Sequence, residues 1–280
     1  MKKILILITF SLILSPIKAE SILYERDSYC YAQKGETALY MDVYKRVDTI
    51  QSSPCMLFLF GGGFTVGNRR DQRYIEYFEY LLSEGIVVVA IDYRLGMVGI
   101  ENEPWRYPDA LEYSIKIGVE DLFDAVNYLQ THAELLNIDK EKIMVSGSSA
   151  GAIIALESDY ILRNKCGNYE NRPQDNFKFA GVISFSGGLY CFCENWETCS
   201  RCAPTLLFHG GKDRVVTPYS IVMFDEGFFG STALIELFKK SDSDYYHCFY
   251  PDLAHEVSYQ SMNQEQDLIS EFLHQYILDN

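Results

Sequence analysis

The chain has 280 residues, 48% of them hydrophobic, with 24 Lys+Arg against 39 Asp+Glu and a formal net charge of −15. That apolar content suits one large buried core and argues against both a disordered chain and a small scaffold held by disulfides alone. With Lys2, Lys3 and Lys18 set aside, 21 basic side chains stand against 39 acidic ones, a balance of −18 that repels nucleic-acid phosphates and gives no attraction to anionic lipid.

Lys2 and Lys3 precede an apolar run from Ile4 to Leu14, broken at Ser15-Pro16 and followed by Ile17-Lys18-Ala19. This is the layout of a secretory signal peptide over residues 1–19, too short to span a bilayer, and it predicts a secreted or periplasmic protein of one domain over residues 20–280. Leu39 to Tyr44 partly alternates and reads as an early antiparallel strand. Continuous apolar runs follow at Cys55–Phe60, Ile86–Ile91, Ile143–Val145, Val182–Phe185 and Thr205–Phe208. Such runs suit strands buried on both faces of a parallel sheet. Between them Leu122, Ala125, Val126, Leu129, Ala133 and Leu136 fall at helical spacing, with acids near Glu120-Asp121 at the helix start. The alternation predicts an α/β sandwich whose strand carboxyl ends share one rim, where ligand sites gather. Gly96 to Tyr113, with Trp105 and Tyr107, reads as a long aromatic loop, either a cap over the site or a loop packed on itself.

All eight cysteines lie beyond residue 19, an even count that favours disulfides in an exported chain. Cys191-x-Cys193 and Cys199-x₂-Cys202 cluster closely, but their spacing departs from that of a zinc ribbon. A bridge between residues two apart would be badly strained, so one of Cys191 and Cys193 is expected to bond each of Cys199 and Cys202, and no metal is expected.

The chemistry concentrates after the apolar runs. Ile143 to Val145 leads into Ser146-Gly147-Ser148-Ser149-Ala150-Gly151 and then a helix-forming run. Gly147-x-Ser149-x-Gly151 between strand and helix is a nucleophile elbow, in which small residues flank a serine held in a strained turn. Of the five histidines, His132 and His274 lie in helical patterns and His247 in a strand. His209 ends a strand beside two glycines. His255 sits in a loop between the last strand and the final helix, which makes it the expected base. Asp213, in the loop after Thr205–Phe208, is the expected carboxylate partner, with Asp252 and Glu226 as alternatives. The order Ser149, Asp213, His255 is the one that accompanies this elbow. Phe60-Gly61-Gly62-Gly63-Phe64 offers exposed backbone donors for an oxyanion, and it lacks the spacing of phosphate-binding loops.

Together these segments, with Asp92-Tyr93-Arg94-Leu95 and His209-Gly-x-x-Asp213, resemble the α/β-hydrolase fold over nearly all of residues 20–280. They are most similar to small secreted esterases of the hormone-sensitive-lipase, carboxylesterase and carbohydrate-esterase groups. The resemblance implies a mostly parallel central sheet with helices on both faces, and a triad of Ser149, His255 and Asp213. It also implies an oxyanion hole made by the N–H groups of Gly62, Gly63 and Ala150, no cofactor, and a small-molecule or polysaccharide-linked ester as substrate, with short acyl, acetyl or feruloyl groups. One departure is Phe60, where many relatives carry histidine. Two other readings share the fold: a serine peptidase of the prolyl-oligopeptidase kind, for whose gating propeller 280 residues leave no room, and a non-catalytic binding protein, which commonly lacks a triad member.

Overall fold

The computed structural model describes residues 22–49, 51–100, 107–174, 176–190, 200–223 and 226–279. The expected leader lies outside the described residues, as do Trp105 and the cysteines Cys191, Cys193 and Cys199. An antiparallel pair, β1 (Tyr24–Lys34) and β2 (Thr37–Arg46), leads into β3 (Ser53–Leu59), α1 (Ile75–Ser83) and β4 (Val87–Ile91). Next come α2 (Pro108–Leu136), β5 (Ile138–Ser148), α3 (Ala150–Asn164), β6 (Val182–Phe185) and β7 (Gly188–Tyr190). The last part holds β8 (Thr205–Gly210), β9 (Ser220–Met223), β10 (Glu226–Gly230), α4 (Ser231–Lys240), β11 (Tyr245–Tyr250), α5 (Val257–Gln264) and α6 (Gln266–Leu273).

Eight strands form one sheet in the order β1-β2-β4-β3-β5-β6-β8-β11, antiparallel at the β1 edge and parallel from β4 onward. A second, antiparallel sheet joins β7, β10 and β9. The expected sandwich is thus present, with every residue of Val87–Ile91 buried, as a strand covered on both faces requires. Helices α1 and α5 pack together on one face and α2 and α3 on the other. Under α1, Phe58 packs against Tyr74 and Phe78 with ring centroids 4.7 and 5.0 Å apart. Such interlocked rings gain both buried area and favourable edge contacts.

Two expectations need correcting. Helix α2 begins at Pro108, about three turns before Glu120-Asp121, because proline at the first helical position needs no N–H partner and its fixed φ suits the helix. The stretch expected as a loop from Gly96 to Tyr113 therefore ends in helix, and the exposed Tyr107 and Tyr113 flank that start. Among the described residues no helix is long and apolar enough to cross a membrane. Because β3, β4, β5, β8 and β11 run parallel, the segments that follow them emerge on one rim.

Candidate active site

β5 ends at Ser148 and α3 begins at Ala150, which leaves Ser149 alone to turn the chain at φ 50° and ψ −115°. A non-glycine residue held there stores roughly 1–3 kcal/mol of strain, which the surrounding packing must offset. The glycines make that packing possible. A Cβ on Gly147 would overlap the Gly151 backbone, and one on Gly151 would overlap the Leu59 and Phe60 carbonyls. Three backbone segments therefore meet with no side chain between them, and the serine is pushed out on their crest. Its own N–H is spent on the Phe185 carbonyl at 2.8 Å. The Ala150 N–H stands at the first helical position, where amides have no partner within the helix.

The base and acid arrive on two later loops. His255 Nε2 lies 2.9 Å from Ser149 Oγ, and His255 Nδ1 lies 2.7 Å from Asp213 Oδ2. Asp213 Oδ1 accepts from the N–H groups of Val215 and Val216, each at 2.9 Å, so one carboxylate oxygen is held by the loop backbone while the other faces the imidazole. The Asp213 carboxylate is buried, Ser149 is 7% exposed, and the His255 ring is partly open to solvent. This geometry fixes the tautomer: Nδ1–H donates to the carboxylate, leaving Nε2 bare to take a proton from the serine.

His209, at the end of β8, lies beneath Asp213 with Nε2 donating to the Val216 carbonyl at 2.9 Å. Burial lowers its pKa and keeps it neutral, so it braces the acid's loop. His132 and His247 are held elsewhere, against the Tyr128 carbonyl and Ser231 Oγ. The alternative acids are not brought to the base: Asp252 accepts from Lys212 Nζ on the exposed surface, and the Glu226 side chain lies outside the described residues.

The glycine loop after β3 closes the site. Gly62 adopts φ +138°, a conformation side chains rarely accept, and its carbonyl receives the N–H groups of Thr65 and Val66. These bonds fix the Gly62 carbonyl in a tight turn, and the loop lies against the elbow, where a Cβ on Gly61 would meet Ser148 and Ser149. Phe60 takes up its place by other means than a polar ring. It stacks on Tyr93 at 4.4 Å, while Tyr93 Oη donates to the Phe60 carbonyl at 2.8 Å and Gly61 N–H donates to Tyr74 Oη at 3.0 Å. Sequence reasoning assigned Tyr74 no role and missed that of Ser148, whose hydroxyl donates to the Ser258 carbonyl at 2.8 Å. Ser258 N–H donates in turn to the His255 carbonyl, so the elbow and the base loop are tied together. A serine beside the nucleophile was the only signal available.

The BD-FAE family profile matches residues 41–189, just over half of the chain. The chain belongs to the BD-FAE family. Its similarity extends to acetyl esterases of Salmonella paratyphi B and Salmonella enteritidis, each 35% identical over 136 residues, which are 46% of this chain and 37% of theirs. The match thus spans little more than a third of those relatives' length. Among solved structures, the apo form of Thermogutta terrifontis esterase 2 superposes with a TM-score of 0.67 at 20% identity, covering 89% of this chain and 94% of that one. The paraoxon-phosphorylated form of that esterase gives 0.66 at the same identity and coverage. This BD-FAE chain therefore has the α/β-hydrolase fold. Among its described residues, no group of three or more His, Cys, Asp or Glu side chains is placed to hold a metal ion.

Proposed function

We propose that this chain is a serine carboxylic-ester hydrolase that works through an acyl-enzyme on Ser149. The observation that carries the reading is the unbroken line from Asp213 through His255 to Ser149 Oγ, at 2.7 and 2.9 Å. In the first half-reaction His255 Nε2 takes the serine proton as Oγ attacks the ester carbonyl. The N–H groups of Gly62, Gly63 and Ala150 receive the charge that forms on the carbonyl oxygen. The imidazolium, steadied by Asp213, then gives its proton to the departing alcohol. Water repeats the sequence on the acyl-serine and releases the carboxylic acid.

The acetyl esterase relatives and the butyrate-bound form of the Thermogutta terrifontis esterase support short acyl groups. The acidic surface disfavours anionic esters and leaves neutral acylated sugars unpenalised, which supports acetyl or feruloyl groups on polysaccharide. The charged, apolar and small-residue succession of residues 1–19 supports export.

Ser149→Ala tests the mechanism. Turnover on 4-nitrophenyl acetate should fall by several orders of magnitude, since a triad acts as a unit. An organophosphonate should label Ser149 in the unaltered chain. An active variant or a label elsewhere overturns the reading. Acyl chains from acetate to decanoate and acetylated xylan, assayed side by side, sharpen the substrate class, and a rate rising with chain length would overturn the short-acyl assignment.

A further inference from the structure

At its near end the glycine loop is held by neutral hydrogen bonds, one donated by Tyr93 Oη to the Phe60 carbonyl and one accepted by Tyr74 Oη from Gly61 N–H. Its far end is held differently. After Gly67 the chain runs through Asn68 into two consecutive arginines, and both reach the same carboxylate, that of Asp42 on β2. Arg70 grips it with two nitrogens, Nε to Oδ2 at 2.6 Å and Nη2 to Oδ1 at 3.2 Å. Arg69 Nε lies 3.0 Å from Oδ1, while its Nη1 pairs with Asp92 at the end of β4. Ser28 Oγ adds a hydrogen bond to Asp42 at 2.6 Å from the edge strand β1. The Asp42 side chain is fully buried.

A buried carboxylate is expensive to desolvate, and an apolar side chain at this place would fill the volume at less cost. What the carboxylate supplies is direction. Two parallel N–H bonds to a planar guanidinium fix the angle as well as the distance of the arginine backbone. Burial pushes the Asp42 carboxyl up, and the contacts from Arg70, Ser28 and Arg69 more than reverse this, bringing it down to about 2. The clamp therefore stays charged throughout the range in which an ester assay is run.

We propose that Asp42 is a positioning residue, which through Arg69 and Arg70 fixes the far end of the glycine loop and so keeps the Gly62 and Gly63 N–H groups aimed at the oxyanion beside Ser149. The inference rests on the ester-hydrolase reading above. Asp42 touches neither the serine nor the substrate, and its action is carried by the few residues between Gly63 and Arg69.

Arg70→Met is the first test, because the Arg70 side chain is half exposed and Arg69 still faces the Asp42 carboxylate in its absence; Asp42→Asn is the second. Turnover of 4-nitrophenyl acetate is measured per serine titrated with an organophosphonate, so that unfolded molecules do not count. With a complete oxyanion donor worth about 10²–10³-fold in kcat, a misaimed loop should lower kcat about tenfold and leave KM within about twofold. Phenylboronic acid, which mimics the tetrahedral intermediate, should bind more weakly by a similar factor. Arg70→Lys should restore only part of the loss, since an ammonium cannot present the fork. Amide hydrogen exchange over residues 61–67 should quicken in Arg70→Met. An active unaltered chain whose Arg70→Met variant matches it in kcat per titrated serine and in boronate affinity overturns the inference alone. An unaltered chain that hydrolyses no ester overturns the ester-hydrolase reading, and the clamp then has no oxyanion to serve.

Discussion

The serine side and the acid–base side of the site are held by different forces. Ser149 stands where β5, α3 and the end of β3 press backbone to backbone, with no room for a Cβ at Gly147 or Gly151. Asp213 and His255 sit on loops held by directional hydrogen bonds, from Val215 and Val216 to the acid and from Ser258 to the carbonyl of the base. Where contact excludes every alternative, a substitution should cost stability; where hydrogen bonds choose among alternatives, it should cost rate. The site divides its vulnerability accordingly.

The sharpest way to break this contrast is Asp213→Asn. The amide can keep the Val215 and Val216 N–H bonds, but its NH₂ group would face His255 Nδ1 and favour the tautomer with the proton on Nε2, where it cannot accept from Ser149. Turnover should fall by about four orders of magnitude, with the melting temperature shifted by no more than a few degrees. Equal losses in steady-state kinetics and calorimetry would erase the distinction. Gly151→Ala should do the reverse. Forcing a methyl against the Leu59 and Phe60 carbonyls should destabilise the fold by about 3 kcal/mol. Calorimetry should show this as a drop in melting temperature, and turnover per titrated serine should change far less. A stable Gly151→Ala chain would refute the packing account.

The smallest effect concerns Glu157, buried in α3 with Oε2 accepting the Tyr190 N–H at 3.0 Å. Burial raises its pKa well above the ordinary 4.5 and keeps it protonated in the fold. The unfolded chain gives up that proton first. The acid's contribution to stability is therefore complete below about pH 4.5 and declines as the pH rises toward the folded value. Glu157→Gln removes the titration, so the variant's melting temperature relative to that of the unaltered chain should be constant below about pH 4.5 and should rise steadily as the pH climbs above it. A difference independent of pH would mean that the acid is ionised in the fold.

How much of this could be read from the residues follows the same division. The Val87–Ile91 run announced its strand because a sheet covered on both faces leaves polar residues no place. The elbow was legible because its steric demands admit only small residues at fixed spacing. β1 was not, since an edge strand with one face in water reads Tyr-Glu-Arg-Asp-Ser, as a polar loop would. The start of α2 was masked by the aromatic residues before Pro108 and by charges at Asp109 and Glu112, which lie on its solvent side. Ser149, Asp213 and His255 were each singled out by element and order, and the structure brings their side chains together. The Asp42–Arg70 pair left no trace in the sequence, because opposite charges 28 positions apart are commonplace in a chain this rich in acids.

The bond between His255 and Ser149 joins positions 106 apart, and that between His255 and Asp213 spans 42. Closing such long loops carries an entropic toll that local helices and adjacent strands do not face, so these contacts belong to the late events of folding. During synthesis the elbow leaves the ribosome well before β11 and the loop that follows it. A nascent chain that holds Ser149 but not yet His255 lacks the imidazole proposed to draw off its proton, and its hydroxyl would remain an ordinary alcohol. On the proposed mechanism the serine is armed only when the loop after the last strand docks, so that completing the fold would be what switches its chemistry on.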